Sequence, residues 1–172
     1  MESRPLGWPE QHSFQQKTQP QKKAGGSFNR WPFDFAKGYM KQVPMGARGE
    51  AEETVEFKHT LTAHHPQLPP VYSTPDMIRL METAAFLALQ PYCEGDEISV
   101  GTAINIEHRA ASGIGTKIKA EAIVESFDGR FYSVRVSARD GEREIGRGTV
   151  GRAVVSVSTF TARTKSKKSA EA

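Results

Sequence analysis

Cysteine is almost missing from this chain. Cys93 is the only one in 172 residues, which excludes an intrachain disulfide and any thiolate metal cluster and fits a reducing compartment. Long apolar runs are missing too. No stretch approaches the roughly 18 apolar residues of a membrane span, and the opening residues lack the apolar region of a secretory signal. A cytoplasmic protein without membrane contact is therefore expected. Glu2 and Glu10, in a Pro-rich and Gln-rich opening, argue against an organellar transit peptide. Met45 opens the first segment of structured character and is a candidate translation start.

Excess positive charge is absent where a nucleic acid would need it. The net charge is +3, but residues 1–50 contribute +4 and residues 159–172 another +3, so residues 51–158 carry −4. Phosphate recognition needs its positive charge on the folded face, so no nucleic-acid partner is expected and the basic TKSKK run is read as a solvated tail. Residues 1–50 and 159–172 also lack apolar periodicity and are expected to be disordered. One domain, 51–158, remains. A metal centre is not expected either. His64 and His65 are adjacent and point apart on any regular element, and no carboxylate completes a set with His59.

What is present is periodicity. Residues 54–62 (TVEFKHTLT) alternate Val55, Phe57, His59 and Leu61 against Glu56, Lys58 and Thr60, which predicts a strand. A Pro-rich loop follows. Thr74 and Pro75 open a helix that Pro91 ends, with Met77, Leu80, Met81, Ala84, Ala85 and Ala88 at helical spacing and Ile78, Leu87 and Leu89 widening the apolar surface. Ile98, Val100, Thr102, Ile104, Ile106 and His108 are then predicted to share one strand face. Ile118, Ala120, Ala122 and Val124 follow, then Tyr132, Val134, Val136 and Ala138, with turns at Asp128-Gly129 and Asp140-Gly141 and a last strand from about Glu144 to Val157. Four long antiparallel strands need a cover for their inner face, and the apolar helix is the available one. This is the element order of an α+β hotdog fold, a curved antiparallel sheet wrapped around one central helix.

Thr74, Glu82 and His108 form a candidate constellation on that helix and the next strand. A carboxylate, a hydroxyl and an imidazole held by two rigid elements can cleave an acyl bond without metal or cofactor. Each has a plainer role. Thr74 is placed to cap the helix, although Ser73 is an equally good cap, with Asp76 three residues on. Glu82 is placed to pair with Arg79 on the surface. An inward-facing histidine is more often a satisfied core residue than a catalyst, but His108 ends its strand, where a cleft is natural.

Over Thr74 to Val157 the chain resembles the fluoroacetyl-CoA thioesterase-like family of hotdog proteins. The shared motifs are T-x7-E, the V-G-T run ending in H-x-A-A, the D-G-x-x-x-I-G-x-G-T segment and the following Arg-Ala-Val-Val. The resemblance implies hydrolysis of a small acyl-CoA thioester to a carboxylate and free CoA, with no cofactor. It implies Glu82 as nucleophile or base, assisted by His108 and Thr74, with Gly101 and Arg152 in the substrate site. Exposed sheet edges make a homodimer the expected assembly. Two departures are visible. The family's G-T-H-E-R is Gly148-Thr149-Val150-Gly151-Arg152 here, and His65 to Leu68 holds no aromatic where the founding enzyme carries lid phenylalanines, so a broader or different acyl group is expected. The alternatives from other classes are a non-catalytic acyl-CoA-binding hotdog protein and a hydratase of enoyl thioesters. The hydratase lacks its Asp and His pair.

Overall fold

The computed structural model describes residues 42–166, which contain strands β1 (Arg48–Thr54), β2 (Glu97–His108), β3 (Lys117–Phe127), β4 (Tyr132–Asp140) and β5 (Arg143–Ser156). Helices α1 (Leu61–His64) and α2 (Thr74–Leu89) lie between β1 and β2, and α3 (Val157–Ser166) follows β5. The strands form one antiparallel sheet in the order β1-β3-β4-β5-β2. The expected meander is thus confined to β3, β4 and β5, and β2 crosses to pair with β5 as an edge strand.

The sheet wraps α2, as its sequence pattern requires. Met77, Leu80, Met81, Ala84, Ala85, Ala88 and Leu89 are buried on the helix, and Ile118, Ala120, Ala122, Val124, Tyr132, Val134, Val136 and Ala138 are buried on the strands that face it. Small residues set the approach of the first strand. A Cβ at Gly49 would stand 2.3 Å from the Ala84 carbonyl oxygen and 2.4 Å from the Ala88 nitrogen, so β1 crosses the helix where only glycine fits. Gly129 and Gly141, with φ of 93° and 57°, supply the left-handed residues of the two predicted hairpins.

Three expectations need correction. Residues 54–62 do not form a strand of their own: β1 ends at Thr54, and Phe57–His59 form a 3-10 turn followed by α1. The alternation is overridden by local polar bonds. His59 Nδ1 accepts the Glu56 amide at 3.1 Å, and the Thr60 hydroxyl donates to the Phe57 carbonyl at 2.7 Å while accepting from Ala63 N–H. Phe57 is left 58% exposed. Second, order extends past both domain limits. Val43 and Ala47 are buried ahead of residue 51, and residues 159–166 continue α3. Residues 1–41 and 167–172 lie outside the described residues.

The third correction concerns β2. Its pairing with β5 slips by one residue between Gly101 and Ala103, leaving Thr102 as a bulge. Since side chains alternate with period two, the slip reverses which residues face the helix. Ile104, Ile106 and His108 face it as expected, but upstream it is Ser99 and Gly101 that do so, not Ile98, Val100 and Thr102. Ser99 is 3% exposed, in keeping with this phase.

Candidate active site

The start of α2 is capped by Ser73, whose Oγ accepts the Asp76 amide at 3.2 Å and donates to the Asp76 carboxylate at 2.5 Å. Burial acts to raise the Asp76 carboxyl, but the hydrogen bonds from Ser73 and His64 and the charge of Arg79 outweigh it and hold the pKa below the ordinary aspartate value. Thr74 is therefore released from capping. Its Oγ1 lies 2.9 Å from His108 Nδ1, while His108 Nε2 lies 3.0 Å from the Ala110 carbonyl oxygen. A carbonyl can only accept, so in the neutral ring Nε2 carries the proton and Nδ1 accepts from the threonine hydroxyl. This fixes the tautomer of the imidazole and orients the Thr74 hydroxyl.

Two turns along α2, Glu82 projects toward β2 with its side chain 33% exposed. A Cβ at Gly101 would stand only 2.4 Å from Glu82 Oε1, so the carboxylate occupies the space that glycine leaves. Arg152 on β5, opposite Gly101, is 5% exposed. Its Nε donates to Ser99 Oγ at 3.0 Å, its Nη2 to the Ser99 carbonyl at 2.8 Å and its Nη1 to the Glu82 carbonyl at 3.3 Å. Nη1 also lies 3.7 Å from Glu82 Oε1. Burial pushes the Arg152 pKa below the ordinary arginine value, and the Glu82 charge opposes that shift. Arg79 has other partners than Glu82. It pairs with Glu53 on β1 and with Asp76, so the surface-pair reading of Glu82 does not hold.

The carboxylate stands where two open recesses meet. One, of 380 Å³, is walled by Pro75, Ile78 and Phe86 with Gly101 and Arg152. The other, of 450 Å³, runs along Gly101, Thr102, Ala103 and Ile104. An apolar wall opposite a carboxylate and a buried cation suits a small acyl group whose carbonyl must be attacked. Of the sequence-predicted residues, the fold brings Thr74 to His108, and Glu82 to Gly101 and Arg152. It does not bring the two sets together within one chain. Thr74 and Glu82 are separated by about 12 Å of helix axis, Gly101 and His108 by roughly 20 Å of strand. Among the described residues no ion pair joins Glu82 to His108. Ser99, which holds Arg152 at two points, was not anticipated. The Gly-Thr step within the strand was the available sign of a bulge that would turn position 99 inward.

The family model for fluoroacetyl-CoA-specific thioesterases matches residues 52–158. The chain belongs to that family. As a member of the fluoroacetyl-CoA-specific thioesterase family it is a hotdog-fold hydrolase of thioesters. The fluoroacetyl-CoA thioesterase of Streptantibioticus cattleyicolor is 40% identical over 115 residues, covering 67% of this chain and 83% of that enzyme. A solved structure of the fluoroacetyl-CoA thioesterase FlK superposes with a TM-score of 0.68 at 37% identity, covering 73% of this chain and 98% of the other. A thioesterase-superfamily protein of Thermus thermophilus shares the fold, with a TM-score of 0.71 at 24% identity over 76% of this chain and 96% of its own. No helix among the described residues is long and apolar enough to cross a membrane.

Proposed function

We propose that this thioesterase hydrolyses small acyl-CoA esters to a carboxylate and free CoA, acting as a homodimer in the cytoplasm. Glu82 either activates a water that adds to the thioester carbonyl and expels the CoA thiolate, or itself displaces the thiolate to form an anhydride that water then hydrolyses. Thr74 and His108 position the substrate and pass the proton given up by that water to the thiolate, and Gly101 and Arg152 line the acyl site. The observation that carries this reading is the Glu82 carboxylate, fitted against Gly101 and flanked by the buried Arg152 at the junction of two recesses. The 40% identity to a fluoroacetyl-CoA thioesterase supports an acyl-CoA substrate. Fluoroacetyl-CoA itself is not the substrate we favour, because the chain between His65 and Leu68 holds no aromatic residue to close over so small a group.

The same geometry supports a homodimer. β2 has one edge unpaired in the sheet, and Ile104 at its middle is 51% exposed. A two-fold axis passing between Ile104 and Asn105 would pair the two β2 edges antiparallel and set Gly101, with Glu82 behind it, opposite His108 of the partner subunit. The two half-sites of one chain would then form two complete sites in the pair.

The test is thiol release from a panel of short, branched and aryl acyl-CoA esters, run on the parent protein and on Glu82→Gln. Hydrolysis that disappears in the variant is expected, and the esters turned over name the acyl class. Equal turnover by Glu82→Gln would overturn the role of the carboxylate.

A further inference from the structure

We infer that Ser99 is a positioning residue for hydrolysis, acting on Glu82 through Arg152; this rests on the proposed role of Glu82. The β2 bulge turns Ser99 toward the helix, where it is 3% exposed beside an arginine that is 5% exposed. Two of the three guanidinium nitrogens end on this one residue, Nε on its hydroxyl at 3.0 Å and Nη2 on its carbonyl at 2.8 Å. The guanidinium is a rigid plane, so fixing Nε and Nη2 fixes Nη1. That third nitrogen donates to the Glu82 carbonyl at 3.3 Å and stands 3.7 Å from Oε1. Arg152 thereby grips α2 at the residue whose carboxylate meets the substrate, and faces that carboxylate with its charge. The Phe86 ring, 5.9 Å from the guanidinium carbon, closes the remaining side.

The Ser99 carbonyl is set by the strand, whose register pairs Ser99 with Val154. The hydroxyl is therefore the one anchor of Arg152 on this residue that a substitution removes. Without it Nε is buried with no acceptor at that point, and the plane is free to turn about the Nη2 bond, carrying Nη1 off Glu82. The other walls of the recess, Pro75, Ile78, Phe86 and Gly101, stay in place. The loss therefore falls on the chemical step rather than on binding.

The experiment measures kcat and KM by thiol release for the parent, Ser99→Ala, Ser99→Thr, Arg152→Lys and the double variant Ser99→Ala/Arg152→Lys. Ser99→Ala is expected to lower kcat about tenfold with KM within about twofold, and Ser99→Thr, which keeps the hydroxyl, to retain most of the activity. In the Arg152→Lys background the same alanine change is expected to cost less than about twofold, because its effect runs through the guanidinium. A loss of equal size in both backgrounds, a change confined to KM, or unaltered kcat in Ser99→Ala would overturn the inference. Where the alanine variant does not fold, Ser99→Cys, close in shape but a weak acceptor, reports the same loss. Glu82→Gln is assayed alongside. Full activity there sinks the role of Glu82 itself, whereas an inactive Glu82→Gln with an unaffected Ser99→Ala sinks only the role of Ser99.

Discussion

Adding one carbon at Gly101 should separate activity from stability in this enzyme. The Cβ of Gly101→Ala would stand 2.4 Å from Glu82 Oε1, 3.5 Å from its Cδ and 3.8 Å from Oε2. Ordinary contact between a carbon and a carboxylate oxygen is about 3.3 Å, so the near oxygen must retreat by about 1 Å. The fold loses little by this, since the obstructing atom is the end of a flexible side chain and alanine suits a strand better than glycine. Catalysis loses much, because a misplacement of about 1 Å costs on the order of a hundredfold in rate. We expect Gly101→Ala to melt within a few degrees of the parent by circular dichroism while its kcat, followed by thiol release, falls about a hundredfold. A variant that keeps its melting temperature and at least a third of its kcat would refute the reading that Glu82 reacts from its position against Gly101, provided Glu82→Gln is inactive in the same assay.

Two further outcomes follow from the split site and from the helix start. If Glu82 of one subunit works with Thr74 and His108 of its partner, mixing Glu82→Gln with Thr74→Val under conditions of subunit exchange should restore about a quarter of the parental activity, since half the dimers are mixed and each has one intact site; activity no greater than the sum of the separate variants would place each site within one chain. The depressed Asp76 carboxyl contributes stability that is complete above its unfolded value, near pH 4, and is lost as the pH falls through the lower folded value. Asp76→Asn should therefore lower the melting temperature at pH 7 and flatten its decline below pH 4, and an acid decline identical to the parent's would show that Asp76 does not titrate with unfolding.

The parts of the fold legible in the sequence are those whose inward residues are apolar and whose turns are marked. The helix with its buried methionines and alanines, and the three strands β3, β4 and β5 joined by Asp-Gly turns, satisfy both conditions. β1 satisfies neither. Its inward positions are Gly49, Ala51 and Glu53, which carry little apolar bulk because the helix backbone comes too close for anything larger and because Glu53 is engaged by Tyr72 and Arg79. The neighbouring TVEFKHTLT alternates better and yet folds into turns, since a period of two says nothing about the hydroxyl and imidazole groups that bond the backbone locally. The helix–strand pairing of Thr74 with His108 was legible because both lie at element ends. Gly101 and Arg152 are implied only by the family resemblance, and Ser99 was hidden by a single inserted residue that reverses the strand's phase.

That inserted residue also changes the meaning of the departure from the family's G-T-H-E-R motif. Taken in sequence order, Val150 and Gly151 replace a histidine and an acid beside the site residue Arg152. In the sheet, however, Val150 is fully buried between Val134 on β4 and Ile104 on β2, so its valine is part of the core. Gly151 faces away from the helix, opposite Ala103, and a Cβ there would stand 2.8 Å from Thr102 Oγ1. Glycine relieves that contact with the bulge, and the bulge is what keeps Ser99 and Gly101 in phase with Arg152. The substitutions thus fall on the core and on the outer face, while the groups that surround the Glu82 carboxylate all come from positions that the departure leaves untouched.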